Sequence, residues 1–140
     1  MKTLWLLDLD GTLVDTSGDI VRAAGIVLRD LGRPPMDRAG IMCHVGLGTP
    51  VLLAGILGLD PGSPEVAAAA ERFVAVYDSA PGSLSRLYPG TEETLGVLAR
   101  SARIAVVSNK DGRLVRSTVE GLGLDRWVER AWGATAPART

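Results

Sequence analysis

Apolar positions follow two different rhythms along this chain. Residues 4–7 (Leu4, Trp5, Leu6, Leu7) form a short continuous apolar run, and Asp8-Leu9-Asp10-Gly11-Thr12 follows at once. The run reads as a buried strand, and Gly11-Thr12 as the turn that ends it. From Thr16 the period becomes helical: Ile20, Ala24, Val27, Leu28 and Leu31 recur at three- and four-residue spacings, and Gly32 suits the position just past the helix. Arg33-Pro34-Pro35 breaks the chain, and a short helix is expected over 38–43. The spacing then predicts a helix over 50–57, with Thr49 as cap and Pro50 at its first position. Ser63-Pro64-Glu65 starts another helix, with Val66, Ala70, Phe73, Val74 and Tyr77 as its apolar stripe. Residues 15–86 therefore read as wholly helical. Beyond them the pattern predicts a helix over 92–101 capped by Thr91, and a β-branched strand over 103–107 ending in Ser108-Asn109-Lys110-Asp111. A helix over 112–122 and a weaker strand over 127–132 follow. The tail, 134–140, is small and polar and is expected to fray.

Strand, helix, strand, helix, strand implies an α/β fold with a parallel sheet and crossover connections. The helical block interrupts that series after the first strand. The expected organisation is a discontinuous α/β core, residues 1–14 and 87–140, with a helical cap, residues 15–86, above the carboxyl ends of the strands.

Composition narrows this only a little. The chain has 140 residues, 46% of them hydrophobic, and a formal charge of −1. That fits one globular domain with an insert. The near-neutral charge gives no drive toward nucleic acid or an anionic membrane. The longest apolar run, 51–59, is interrupted by Gly55 and Gly58 and falls far short of the ~20 residues of a membrane helix. A single cysteine, Cys43, allows no internal disulfide and suits a reducing, cytoplasmic setting; it is expected to be a small buried hydrophobe.

The candidate chemistry sits where the first strand ends. Residues two apart in a strand share a face, so Asp8 and Asp10 project to one side at the carboxyl end of the strand, where open α/β sheets bind ligands. Two close carboxylates repel and favour a cation such as Mg²⁺, which takes hard oxygen ligands. A carboxylate beside a metal can attack phosphorus, and its neighbour can handle protons. Gly11 permits close backbone approach to a phosphate, and N–H groups of Gly11 and Thr12 can cradle it. Turn formation and helix capping would explain the same residues. Ser108, Asn109 and Lys110 follow the second strand as Asp8 follows the first, offering a hydroxyl, an amide and an ammonium toward an anion. Ordinary turn chemistry is the competing explanation there too.

The strings themselves carry a resemblance. Asp8-Leu9-Asp10-Gly11-Thr12-Leu13-Val14-Asp15-Thr16 resembles the first signature of the haloacid dehalogenase-like (HAD) hydrolases. Val45-Gly46-Leu47-Gly48 before an apolar helix, Tyr88-Pro89-Gly90, and Val106-Val107-Ser108-Asn109-Lys110 resemble the phosphoglycolate phosphatase-like branch. The resemblance implies an HAD-like Rossmannoid core with an inserted helical cap. It implies a phosphatase with Asp8 as nucleophile, forming an aspartyl-phosphate, and Asp10 as general acid/base. Mg²⁺ would be held by the Asp8 carboxylate and the Asp10 main-chain carbonyl. Gly11, Thr12, Ser108, Asn109 and Lys110 would hold the phosphoryl group of a small phosphorylated metabolite. Asp at position 10 favours phosphoryl transfer over dehalogenation.

Two family pieces are absent: a Lys-Pro pair, and a Gly-Asp after Ser108 followed by a further acid. The core is therefore expected to be incomplete at its C-terminus, with metal binding and turnover impaired and Lys110 partly standing in for the lysine. The first strand is expected to form an exposed apolar edge open to self-association. Three readings stand: a truncated hydrolase, a non-catalytic remnant that binds a phosphometabolite or partner chain, and another superfamily member such as a sugar phosphomutase or pyrophosphatase. Arg38, His44 and Gly46 are further substrate-contact candidates, with a solvated Arg and a turn Gly as the plainer readings. Asp15 reads equally well as a hinge residue or a cap of the following helix.

Overall fold

The computed structural model describes residues 2–134. Its α/β layer is a three-stranded parallel sheet in the order β1 (Thr3–Leu7), β4 (Ala102–Asp111), β5 (Arg130–Ala134). Between β1 and β4 the chain forms β2 (Val14–Asp15), α1 (Ser17–Asp30), α2 (Arg38–Met42), α3 (Thr49–Leu57), α4 (Pro64–Asp78), β3 (Arg86–Leu87) and α5 (Thr91–Leu98). α6 (Gly112–Gly121) and a 3₁₀ turn (Leu124–Arg126) connect β4 to β5. No helix among the described residues is long and apolar enough to cross a membrane. Of the tail expected to fray, 134–140, Ala134 is instead paired in β5, and 135–140 lie outside the described residues.

Burial explains the division into two layers. Helices α1, α3 and α4 pack their stripes together; Val27, Leu53, Val66 and Tyr77 are all fully buried. The second cluster lies under one face of the sheet, where Ile104 and Val106 meet Leu95 of α5, Val115 and Val119 of α6, and Leu124. The parallel register puts Leu4, Leu6, Val107 and Trp132 together on the opposite face. Leu6 is 60% exposed and Trp132 50%. Parallel strands normally carry cover on both faces; here the described residues cover one.

Several expectations need correction. β1 is the exposed apolar edge expected from the absent neighbour, and the buried-strand reading of its apolar run gives way: Leu4, Trp5 and Leu6 are exposed. Its apolar run matches a buried strand, but only one neighbour and one helical layer reach it. Residues 15–86 are not wholly helical: Asp15 and Arg86 lie in the antiparallel β2–β3 ribbon at the two ends of the insert. Two-residue strands carry no periodicity to detect. Thr49 and Thr91 are first helical residues, preceded by Gly48 and Gly90 at the cap positions. The Thr91 hydroxyl instead donates to the Leu13 carbonyl at 3.1 Å. Ser63 does cap α4, accepting from Val66 N at 3.3 Å. Cys43 is exposed, its thiol directed at the Gly40 carbonyl, because short α2 buries only Ile41. The third strand begins at Arg130 rather than residue 127, after the 3₁₀ turn.

β4 runs on through residues 108–111, past the expected strand end at residue 107. Its register with β5 shifts between Val107 and Asp111, and Asp111 pairs with Ala134 beyond the irregularity. Gly133 permits this: a Cβ there would sit 2.2 Å from the Lys110 carbonyl oxygen. The irregularity re-aims the side chains of residues 108–110 at the end of the sheet.

Candidate active site

The site lies at the carboxyl ends of β1 and β4, beneath the helical insert. After β1 the backbone turns tightly: Leu13 N and Val14 N both donate to the Leu9 carbonyl, and Gly11 takes φ 76°. That φ suits glycine at low cost. Leu9 is fully buried between the two acids, so Asp8 and Asp10 both face a cavity of about 260 Å³. Gly11, Ser108, Asn109 and Lys110 also line it. Residues a hundred positions apart in sequence thus share one floor. The opposite wall is apolar and comes from the insert, with Ile20, Met42, Leu52 and Phe73.

The turn uses the N–H groups expected to cradle an anion. Gly11 N donates to Val14 O at 2.9 Å and Thr12 N to Leu9 O at 3.2 Å. Thr12 is exposed and lies outside the cavity lining. Six of the seven expected site residues therefore meet, and Thr12 does not. Both N–H groups close the turn which points the two acids the same way, while Gly11 still lines the cavity.

Asp8 is exposed, with one carboxylate oxygen accepting from Leu9 N at 2.8 Å. Asp10 is more enclosed. Its Oδ1 accepts from the Lys110 ammonium at 2.8 Å and from the Thr16 hydroxyl. Lys110 also donates to the Tyr77 hydroxyl at 2.8 Å. Burial works against the Lys110 charge, but the Asp10 carboxylate and the Tyr77 hydroxyl outweigh it and raise the pKa above the ordinary 10.5. Lys110 is thus a fixed cation that faces Asp10. Ser108 Oγ accepts from Lys110 N at 3.1 Å, which leaves its own O–H to donate. Asn109 Nδ2 donates to the Gly46 carbonyl of the insert at 3.1 Å, with a second N–H remaining.

Other residues enter that the pattern did not assign to the site. Thr16 lines the cavity as well as holding Asp10. Asp15 and Ser17 form a second polar wall; the Ser17 hydroxyl and N–H both donate to Asp15 and hold its carboxyl below the ordinary 3.8, with Arg38 adding to the effect. Arg38 donates to Ser17 Oγ, so it is an anchored residue and not simply a solvated one. His44 packs against Gly55, where a Cβ would lie 2.3 Å from its ring. Tyr77 read as the end of a core stripe, and nothing in a helical period marks its hydroxyl as a Lys110 partner.

A group of three or more His, Cys, Asp or Glu side chains able to hold a metal does not occur among the described residues. The donors present, one open carboxylate and main-chain oxygen, nonetheless fit Mg²⁺. That ion keeps several waters and commonly takes one or two protein carboxylates plus substrate phosphate.

The family model for haloacid dehalogenase-like hydrolases matches residues 5–137, and the chain belongs to that family. Curated relatives narrow the neighbourhood. The chain is 37% identical over 130 residues to a plasmid-encoded phosphoglycolate phosphatase of Cupriavidus necator, covering 91% of this chain and 56% of that one. It is 33% identical over 140 residues to the phosphoglycolate phosphatase of Haemophilus influenzae, covering 94% of this chain and 62% of that one. The crystal structure of a predicted phosphoglycolate phosphatase from Haemophilus somnus superposes with TM-score 0.81 at 28% identity, over 95% of this chain and 62% of that one. The chain thus spans roughly three-fifths of the length of these relatives.

Proposed function

We propose that this chain carries the site of a Mg²⁺-dependent phosphomonoester hydrolase of the phosphoglycolate phosphatase type. The observation that carries the reading is the convergence of Asp8, Asp10, Ser108, Asn109 and Lys110 on one small cavity. The names of the relatives at 33–37% identity support the substrate class. On this reading residues 15–86 act as a cap on a core of residues 1–14 and 87–140.

Asp8 is the nucleophile, because its carboxylate is open to the cavity while Asp10 is held by Lys110 and Thr16. Asp10 enters this step protonated on Oδ2, with Oδ1 kept against Lys110 and Thr16; Asp8 attacks phosphorus, and the bond to the leaving oxygen breaks as the Oδ2 proton passes to that oxygen. In the second half, Asp10 takes a proton from water, the water oxygen attacks phosphorus, and phosphate leaves with Asp8 restored. The Ser108 hydroxyl and the free Asn109 N–H receive phosphoryl oxygens. The Asp8 carboxylate and the Asp10 main-chain carbonyl would hold Mg²⁺, which neutralises phosphoryl charge when bound. The apolar wall suits a small substrate whose remainder is desolvated beneath the insert. We also infer that the exposed β1 edge permits self-association.

The test is phosphate release by the purified chain with Mg²⁺, using 2-phosphoglycolate and an aryl phosphate, with Asp8→Asn as control. Release that disappears in Asp8→Asn is expected. Release at the same rate in both proteins refutes the assignment of Asp8. A second reading, binding of a phosphometabolite without turnover, rests on the same polar lining of Ser108, Asn109 and Lys110. It predicts calorimetric binding of 2-phosphoglycolate with no release above the control.

A further inference from the structure

Lys110 joins the two layers at the site. Its side chain is 7% exposed, lies 2.8 Å from Asp10 Oδ1 and 2.8 Å from the Tyr77 hydroxyl, and sits 4.4 Å from the centre of the Tyr77 ring. Tyr77 is on α4, fully buried, and outside the cavity lining. Its ring rests on Phe73, centroids 5.9 Å apart and planes tilted by 42°. Phe73 does line the cavity. A continuous set of contacts therefore runs from the apolar wall, through Tyr77 and Lys110, to the carboxylate on the floor.

Elementary chemistry says what this arrangement needs. A lysine stem is long and flexible, and its ammonium is strongly hydrated, so an unheld Lys110 would swing toward water. Asp10 meets the three N–H donors with one oxygen, Oδ1, which it shares with Thr16. The Tyr77 hydroxyl supplies a second acceptor, and the ring face supplies a cation–π contact. Both come from a helix of the insert. Lys110 can stay against Asp10 in a buried site only while α4 is seated there.

We infer that Tyr77 is a positioning residue that holds the Lys110 ammonium against Asp10, so that seating α4 on the core fixes the partner of the acid–base carboxylate. The catalytic consequence rests on the phosphatase reading; the hold on Lys110 does not.

The two parts can be tested separately. The sequence contains only two lysines, Lys110 and the exposed Lys2. Labelling with acetic anhydride, read by peptide mass spectrometry, therefore carries its own internal reference. Lys110 should label about tenfold more slowly than Lys2, and Tyr77→Phe should raise the Lys110 to Lys2 ratio roughly fivefold while keeping the ring. An unchanged ratio in folded Tyr77→Phe overturns the hold. Tyr77→Met, read in the same way, replaces it if Tyr77→Phe does not fold.

The second part is a double-mutant cycle on Asp8-dependent release from an aryl phosphate. Tyr77→Phe should lower kcat about tenfold with KM nearly unchanged, and have no further effect in a Lys110→Met background. Equal losses in both backgrounds would make Tyr77 a packing residue only and overturn the positioning role. Failure of the phosphatase reading has a different signature: no Asp8-dependent release from the unmodified chain. The labelling contrast would then still decide whether Tyr77 holds Lys110.

Discussion

The helical insert and the sheet handle similar apolar residues in different ways. In the insert, the leucines and valines of α1, α3 and α4 face one another, and Leu53 and Val66 are fully buried. In the sheet, Ile104 and Val106 are equally buried on one face, while Leu6 and Trp132 on the other remain half exposed or more. A helix stripe is satisfied by one neighbouring stripe. A parallel strand has two faces and two edges, and β1 has cover for few of them. The difference teaches that apolar content does not report burial; the number of elements that reach a surface does. The cavity lies where the helical layer meets the partly covered sheet, and it draws its apolar wall from the first and Asp8, Asp10 and Lys110 from the second.

Breaking the insert should have the largest effect on stability. Leu53→Ala removes a fully buried side chain from that cluster and should cost about 2–5 kcal/mol, measured by urea unfolding. A loss well under that range would mean the insert is loosely packed and the contrast with the sheet is false.

Asp19 is the next lever, because it ties the start of α1 to the strand that returns to the core. It is fully buried and accepts from Leu84 N at 3.3 Å and from the hydroxyls of Ser83 and Ser85. Asp19→Ala strands those donors and should cost about 1–3 kcal/mol. Limited proteolysis should then cut first near residues 79–85.

Acid should loosen the join between the layers. Burial pushes the Asp111 carboxyl up, but the side-chain and backbone N–H groups of Arg113 outweigh it and leave the pKa below the ordinary 3.8. A depressed folded-state pKa contributes stability that is present above 3.8 and lost as pH falls through the folded value. Urea midpoints should therefore fall below pH 3.8, and fall less in Asp111→Asn. Arg113 also reaches Glu71 on α4 at 3.1 Å, half exposed. Arg113→Ala should cost no more than about 1 kcal/mol because solvent screens the pair.

The smallest stability effect belongs to the open edge. Leu6→Lys should change stability by no more than about 0.5 kcal/mol, since Leu6 is already in water. Sedimentation should nevertheless show less self-association. A large destabilisation would show that Leu6 is covered in solution.

The sequence by itself determined most element types, the stretch of helices between the first two strands of the main sheet, and six residues of the candidate site's lining. The apolar run before Asp8-Leu9-Asp10, the Ser63-Pro64 start of α4 and the β-branched run before Ser108 each carry local chemistry that survives without a fold. Six of the seven expected site residues line one cavity because each group follows a strand and β1 pairs in parallel with β4. What only tertiary structure decided was pairing and cover. The β2–β3 ribbon is invisible in sequence because each strand has two residues. Thr91 abandons capping because Leu13 O lies within reach of its hydroxyl. The N–H groups of Gly11 and Thr12 close the turn instead of standing free for an anion. The exposure of Leu6 depends on which strands flank β1, and the Lys110–Tyr77 contact joins residues 33 positions apart. Local preference is written residue by residue, but a partner exists only once the chain has brought it near.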